Sequence, residues 1–185
     1  ERDTQKNEII VDNDTPNASL YLEVGSKKAK WDRASVRGFA QKKTIYQDGE
    51  NPFADGTCRM ISTERKKKKN KDQAFAEWVP TLPATGTYAV YVSYQTLPNS
   101  VSDAKYLVFH NGGVTEFKVN QKIGGGTWVY LGTFEFDKGN NDYGMVVLSS
   151  ESSEHGVVCA DAVRFGGGMG NISRGGKISG LPRYL

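Results

Sequence analysis

Between Ala76 and Phe165 the chain is a succession of short segments that alternate apolar and polar side chains and are separated by glycine turns. Glu77–Pro80, Gly86–Tyr94, Lys105–His110, Gly113–Gln121, Gly126–Phe136 and Gly144–Leu148 follow one another, and Cys159–Phe165 closes the series. A period of two places successive side chains on opposite faces of a strand. No window of about eleven residues carries a helical period. Strands this short and this regular bury their apolar faces by stacking sheets. The expectation is an all-β chain, an antiparallel β-sandwich of jelly-roll type.

The first third is less regular. Glu8–Asn13 predicts a strand, stopped by Asn13-Asp14-Thr15-Pro16. Ser19–Gly25 and Gly56–Ser62 predict two more, and Lys43–Tyr46 a short one. Lys27–Lys43 is polar, with Trp31 as its single large apolar anchor. A chain of 185 residues forms one domain, or one domain with a tail. The division expected is a sandwich over 1–168 and a glycine-rich exit segment over 169–185. Gly166–Gly176 resembles a phosphate-cradling loop in glycine content alone. It lacks the strand-to-helix context and the Lys-Ser/Thr ending, so a linker is the better reading.

Charge excludes some functions. The 24 basic and 21 acidic residues leave 24 − 21 = +3, too little for a nucleic-acid argument. Glu64–Lys71 is a basic run that reads either as a polyanion contact or as a solvated hairpin tip. The tip is favoured, because no aromatic residue interleaves the lysines. No apolar stretch is long enough to span a membrane. The sequence opens at Glu1 with no leader, so a signal peptide is expected to be absent or removed, and the chain to be a piece of a longer protein.

Catalytic chemistry is poorly served. His110 and His155 are the only histidines, and Ser153, His155 and Asp161 are near in sequence without the geometry a triad needs. Cys58, His110, His155 and Cys159 lack zinc-ligand spacing. Asp12, Asp14 and Asp161 are weak calcium candidates, and otherwise no cofactor is expected. Cys58 and Cys159 fit either a bridge across neighbouring strands or two buried thiols, with the thiols favoured. Aromatic residues could stack on sugars. On the Gly126–Phe136 segment, strict alternation would place Trp128, Tyr130, Phe134 and Phe136 on one face. The expected ligand-binding residues are His110, Asn111 and Trp128, on glycine-rich loops at one end of the sandwich.

The order of these motifs resembles the golvesin C-terminal, xanthan-lyase carbohydrate-binding-like domain. Gly86–Val92, Asn111-Gly112-Gly113 with Thr115, Val119-Asn120-Gln121, Gly126–Gly132 and Ala160–Phe165 carry the likeness, and Ile10–Asn13 resembles its opening strand. The likeness covers roughly residues 8 to 168; the lysine insert departs from it. It implies a galactose-binding-like jelly roll. It also implies a non-catalytic carbohydrate- or cell-wall-binding module of a large secreted Bacteroides-type protein labelled xanthan lyase or N-acetylmuramoyl-L-alanine amidase. Polysaccharide or peptidoglycan and an adjacent catalytic domain are the implied partners. A secreted, periplasmic or cell-surface location follows, with neither nucleic acid nor membrane insertion. The rivals are a structural module that packs on its catalytic neighbour without binding glycan, and a hydrolase or lyase in its own right.

Overall fold

The computed structural model describes residues 8–14, 20–41, 47–65, 73–167 and 178–179. Thirteen strands occur there: β1 (Glu8–Asp12), β2 (Leu20–Val24), β3 (Asp32–Gly38), β4 (Gly56–Ser62), β5 (Phe75–Val79), β6 (Gly86–Ser93), β7 (Ala104–His110), β8 (Gly113–Val119), β9 (Val129–Phe136), β10 (Met145–Ser149), β11 (Val157–Ala160), β12 (Ala162–Gly166) and β13 (Ile178–Ser179). One 3₁₀ turn, Pro52–Ala54, is capped by the Asn51 side chain accepting from Phe53 N. Among the described residues there is no α-helix.

The first sheet runs β1-β12-β6-β9, the second β13-β8-β7-β10-β5-β2 and the third β11-β4-β3. Every strand pair is antiparallel. From β5 onward the chain passes back and forth between the first and second sheets, which is how a jelly roll stacks its layers. The expected all-β antiparallel sandwich is the fold observed.

The main core lies between the first two sheets. Val11, Val90, Phe136, Val163 and Phe165 point in from one side; Trp78, Tyr106, Val108, Phe117 and Leu148 from the other. Trp78 and Tyr106 stack at 6.3 Å between ring centres, and Phe136 meets Phe165 edge-on at 5.5 Å. Alternation fails at one place. Between Val90 and Tyr91 the register of β6 on β9 shifts, so that Val90 faces Gly132 but Tyr91 faces Tyr130. Leu131 is the extra residue of a bulge, and a bulge reverses parity. Phe134 and Phe136 therefore enter the main core, whereas Trp128 and Tyr130 belong to a separate cluster on the outer face. The single aromatic face expected of this segment is split in two.

Three further differences from the sequence reading follow. Asp32–Gly38, read as irregular, is strand β3, whose pairing with β4 is interrupted between Arg33 and Arg37. That interruption hides the period of two. Gly38 opposes Gly56, and a Cβ on Gly38 would lie 2.4 Å from Thr57 O, so the strands approach as closely as only glycine permits. The closing segment is broken at Asp161, where the chain leaves the third sheet and enters the first. Of the exit segment, Ile178–Ser179 pairs with β8 as an edge strand. The lysine run from Lys66, the Lys43–Tyr46 segment and the rest of the exit segment lie outside the described residues.

Candidate functional site

The strand switch at Asp161 organises the seam between the sheets. Its backbone oxygen accepts from Asn13 N at 3.3 Å and from the Trp78 indole at 3.2 Å. Its Oδ2 accepts from Phe39 N at 2.9 Å. Asp12 and Asp161 are both almost wholly buried. Burial is the main force that lifts both carboxyl pKa values, Asp12 to about 9, and in Asp12 the neighbouring charges of Asp161 and Asp14 add to it. Asn13 completes the cluster. With its amide nitrogen turned to the carboxyls it donates to Asp12 Oδ1 at 2.9 Å and Asp161 Oδ1 at 3.2 Å, while its oxygen lies 3.0 Å from the Thr57 hydroxyl. Asp14 takes Thr57 N at 2.6 Å and the Thr57 hydroxyl.

The seam thus brings together the three residues singled out for calcium, Asp12, Asp14 and Asp161. The Asn13 amide bridges the two buried carboxyls. Among the described residues no group of three or more His, Cys, Asp or Glu is arranged to hold a metal ion.

Just outside this buried pair lies an open groove lined by Asn13, Asp14, Tyr21, Glu23, Thr57 and Arg59. Tyr21 faces inward on edge strand β2, tilted against Trp78 at 5.5 Å. Its hydroxyl donates to Glu23 Oε2 at 2.6 Å, and burial followed by that bond holds the phenol protonated. Arg59 grips Glu23 with both arms, Nε to Oε2 at 2.8 Å and Nη2 to Oε1 at 3.0 Å. The guanidinium pKa is raised, first by that hydrogen bond. The groove thus sets one half-buried aromatic ring beside a fixed set of donors and acceptors. None of Tyr21, Glu23 and Arg59 stood out in the sequence. They come from two strands of different sheets, and the only local signal was the alternation of β2.

A second cleft opens beside the ends of β7, β8 and β10. It is lined by Arg65, Lys105, Lys118, Glu116, Glu151 and Ser153, with Asp103 and Ser152. Lys105 Nζ lies 2.6 Å from Glu151 and 3.3 Å from Glu116. Asp103 accepts from Ser153 N at 2.9 Å and from both serine hydroxyls, and these bonds outweigh burial to hold its pKa low. Three cations face three carboxylates here, with no aromatic ring, so the groove at the seam is the better candidate.

The structure does not bring His110, Asn111 and Trp128 together. His110 sits at the end of β7, where its ring meets Phe134 at 4.6 Å, Nδ1 is 2.8 Å from Asn111 O and Nε2 is 2.9 Å from Thr115 Oγ1. Asn111 donates from its backbone to Glu135 O and from its amide to Asp137, at 2.8 and 2.9 Å. These contacts lie at the far end of β9 from Trp128, about 20 Å along a strand. Trp128 is 8% exposed and packs on Phe39 and Phe53 at 5.1 and 5.6 Å. The two glycine-rich loops thus lie at opposite ends of one strand, and the His110 and Trp128 rings pack against other aromatic side chains. The two cysteines are free, fully buried thiols on neighbouring strands. A hydrogen bond between them lowers the Cys58 pKa, whereas burial raises that of Cys159. Ser153 is committed to Asp103, and Asp161 is buried at the seam, so the residues of the weighed triad stand apart.

Fold and groove together describe a β-sandwich with an aromatic-and-polar groove at the seam where its sheets meet. The chain belongs to the Golvesin C-terminal domain family, whose signature matches residues 54–167. It is 37% identical over 90 residues to a xanthan lyase of Bacillus sp. (strain GL1), a match spanning 48% of this chain and 10% of that protein. A solved structure of Paenibacillus xanthan lyase superposes on 86% of this chain with a TM-score of 0.59 at 25% identity, and the chain covers 13% of it. The chain therefore spans only about a tenth of the length of these relatives. Among the described residues no helix is long and apolar enough to cross a membrane.

Proposed function

We propose that this chain is a non-catalytic accessory module of a larger polysaccharide-acting protein, and that it contacts glycan through the groove of Tyr21, Glu23 and Arg59. The single observation that carries the reading is that groove: a partly exposed ring beside a two-armed Arg–Glu pair and the seam's Asn13, Asp14 and Thr57. Fixed donors and acceptors around a flat apolar surface recognise a pyranose at low entropic cost. The family and its presence in xanthan lyases support the role class. A module of this kind works where the polymer is, so a secreted or cell-surface location goes with the proposal. Catalysis is assigned elsewhere in the larger protein, since the chain spans only about a tenth of the xanthan lyases it resembles.

The test is affinity electrophoresis and calorimetry of the chain with xanthan and with solubilised peptidoglycan. Arg59→Ala and Glu23→Gln should each weaken binding at least tenfold, about 1.4 kcal/mol, with the fold retained by circular dichroism. His110→Ala should leave binding unchanged. Binding that survives both groove substitutions would reject the groove. Absence of binding by the native chain would favour a module that packs on its neighbour without touching glycan. Turnover of either polymer by the isolated chain would reject the non-catalytic reading.

A further inference from the structure

The outer face of the second sheet is apolar across five strands. Register sets it out in rows. Val114, Phe109, Met145, Val79 and Leu20 lie side by side in one; in the next, Leu107 and Val147 lie between Glu116 and Glu77, and Leu22 follows beyond Glu77. Phe75 and Val24 end the third, beyond Lys118, Lys105 and Ser149. These residues belong to neither hydrophobic core. At the centre Val79 and Val147 are only 7% and 5% exposed. Towards the edges Leu20, Leu22, Val24 and Val114 are 47%, 46%, 51% and 53% exposed. Apolar residues scattered singly over a surface need no explanation, but ten in register on one sheet face do.

We propose that this face docks a second folded domain of the same polypeptide, one presenting its own apolar surface. The inference rests on the reading of the chain as a module of a larger protein, and it names the surface by which the module is held.

Size decides between occupants. Five strands at about 4.8 Å and three rows at about 6.8 Å give a patch of roughly 500 Å². Doubled over two partners, that is about 1,000 Å², within the 600–1,500 Å² range of contacts between domains of one chain. It falls short of the 1,200–2,000 Å² that an untethered specific complex buries. A tether supplies the difference through an effective concentration near millimolar. The relatives are built that way, since the matching region is 10% and 13% of their chains. The charged cleft of Lys105, Glu116, Lys118 and Glu151 borders the patch. An apolar centre with a polar rim is the anatomy of an interface.

The experiment compares hydroxyl-radical labelling of Met145 and Leu22 in the 185-residue chain and in the longer polypeptide that carries it. Labelling should fall at least fivefold in the longer form, and Leu22→Glu with Val114→Glu should restore it. Equal labelling of the two forms would overturn the proposal. Sedimentation velocity of the 185-residue chain should show a monomer; a dimer dissolved by Leu22→Glu would assign the face to a second copy instead. If Leu22→Glu lowers the melting temperature of the isolated chain, Leu22→Ser repeats the comparison with less disturbance. Glycan binding by the isolated chain is read separately at the groove, so failure of docking and failure of glycan contact give different results.

Discussion

The outer faces of the two large sheets invite comparison. That of the first carries Ile10, Tyr91, Trp128 and Tyr130, and the chain covers them itself. Phe39, just after β3, and Phe53, on the 3₁₀ turn, pack on Trp128, and Gln95 Nε2 holds Phe53 O at 2.9 Å. Beside them the Arg164 guanidinium lies 4.9 Å above the Tyr91 ring and is fixed by the oxygens of Gly166 and Gly167. The outer face of the second sheet has more apolar side chains, ten in register, yet its edge residues remain about half exposed. Apolar outer faces therefore serve two purposes. Where the chain supplies a cover, aromatic residues add stability. Where the described residues supply none, the surface is the one proposed above for a partner.

The largest effect expected is from breaking the covered face. Trp128→Ala removes the centre of its cluster and should cost about 3 kcal/mol, lowering the melting temperature by roughly 6–12 °C. Calorimetry checks it. A loss below about 1 kcal/mol would mean that the cover is dispensable and that the contrast between the faces is overstated.

An intermediate effect is expected where the cover is pinned, since Phe39 N is held by Asp161. The folded protein keeps a proton on Asp12 up to about pH 9, whereas the unfolded chain releases it near pH 3.8. Between those values the folded state binds more protons, so stability falls as pH rises through the window and is fully recovered only below it. The low carboxyls Asp103 and Glu154 act in the opposite sense at the acid end. The melting temperature should therefore climb on going from about pH 8.5 to about pH 5.5, and Asp12→Asn should raise stability at the upper pH by about 1–2 kcal/mol while flattening the slope. The same titration with calcium or a chelator tests the cation reading of Asp12, Asp14 and Asp161. A bound cation would reverse the sign: the chelator would destabilise the native chain, and Asp12→Asn would lower the melting temperature.

The smallest effect is expected on the uncovered face. Leu22→Ser changes a side chain that is 46% exposed on an edge strand and should move stability of the isolated chain by no more than about 0.5 kcal/mol. A loss above about 2 kcal/mol in denaturant titration would show that the face is already used within the module.

The sequence by itself determined the class of fold, because a period of two with glycine turns has few ways to bury its apolar faces. It located most strands of the second half, where alternation is interrupted only at the Leu131 bulge and at Asp161. It also carried the family likeness. It did not reveal β3, whose interrupted pairing erases the alternation, or the fate of Trp128 and Tyr130, which the Leu131 bulge turned outward. The Asp12, Asp14 and Asp161 cluster was legible as three acids, but its meeting with Asn13 and Thr57 depends on the strand switch at Asp161. Tyr21, Glu23 and Arg59 were not legible as a site at all, since 36 residues of sequence separate Glu23 from Arg59. Which apolar face receives a cover and which is left open was likewise decided by tertiary structure alone. Alternation records that both faces of a strand are apolar; only the packing of distant segments determines what lies against each.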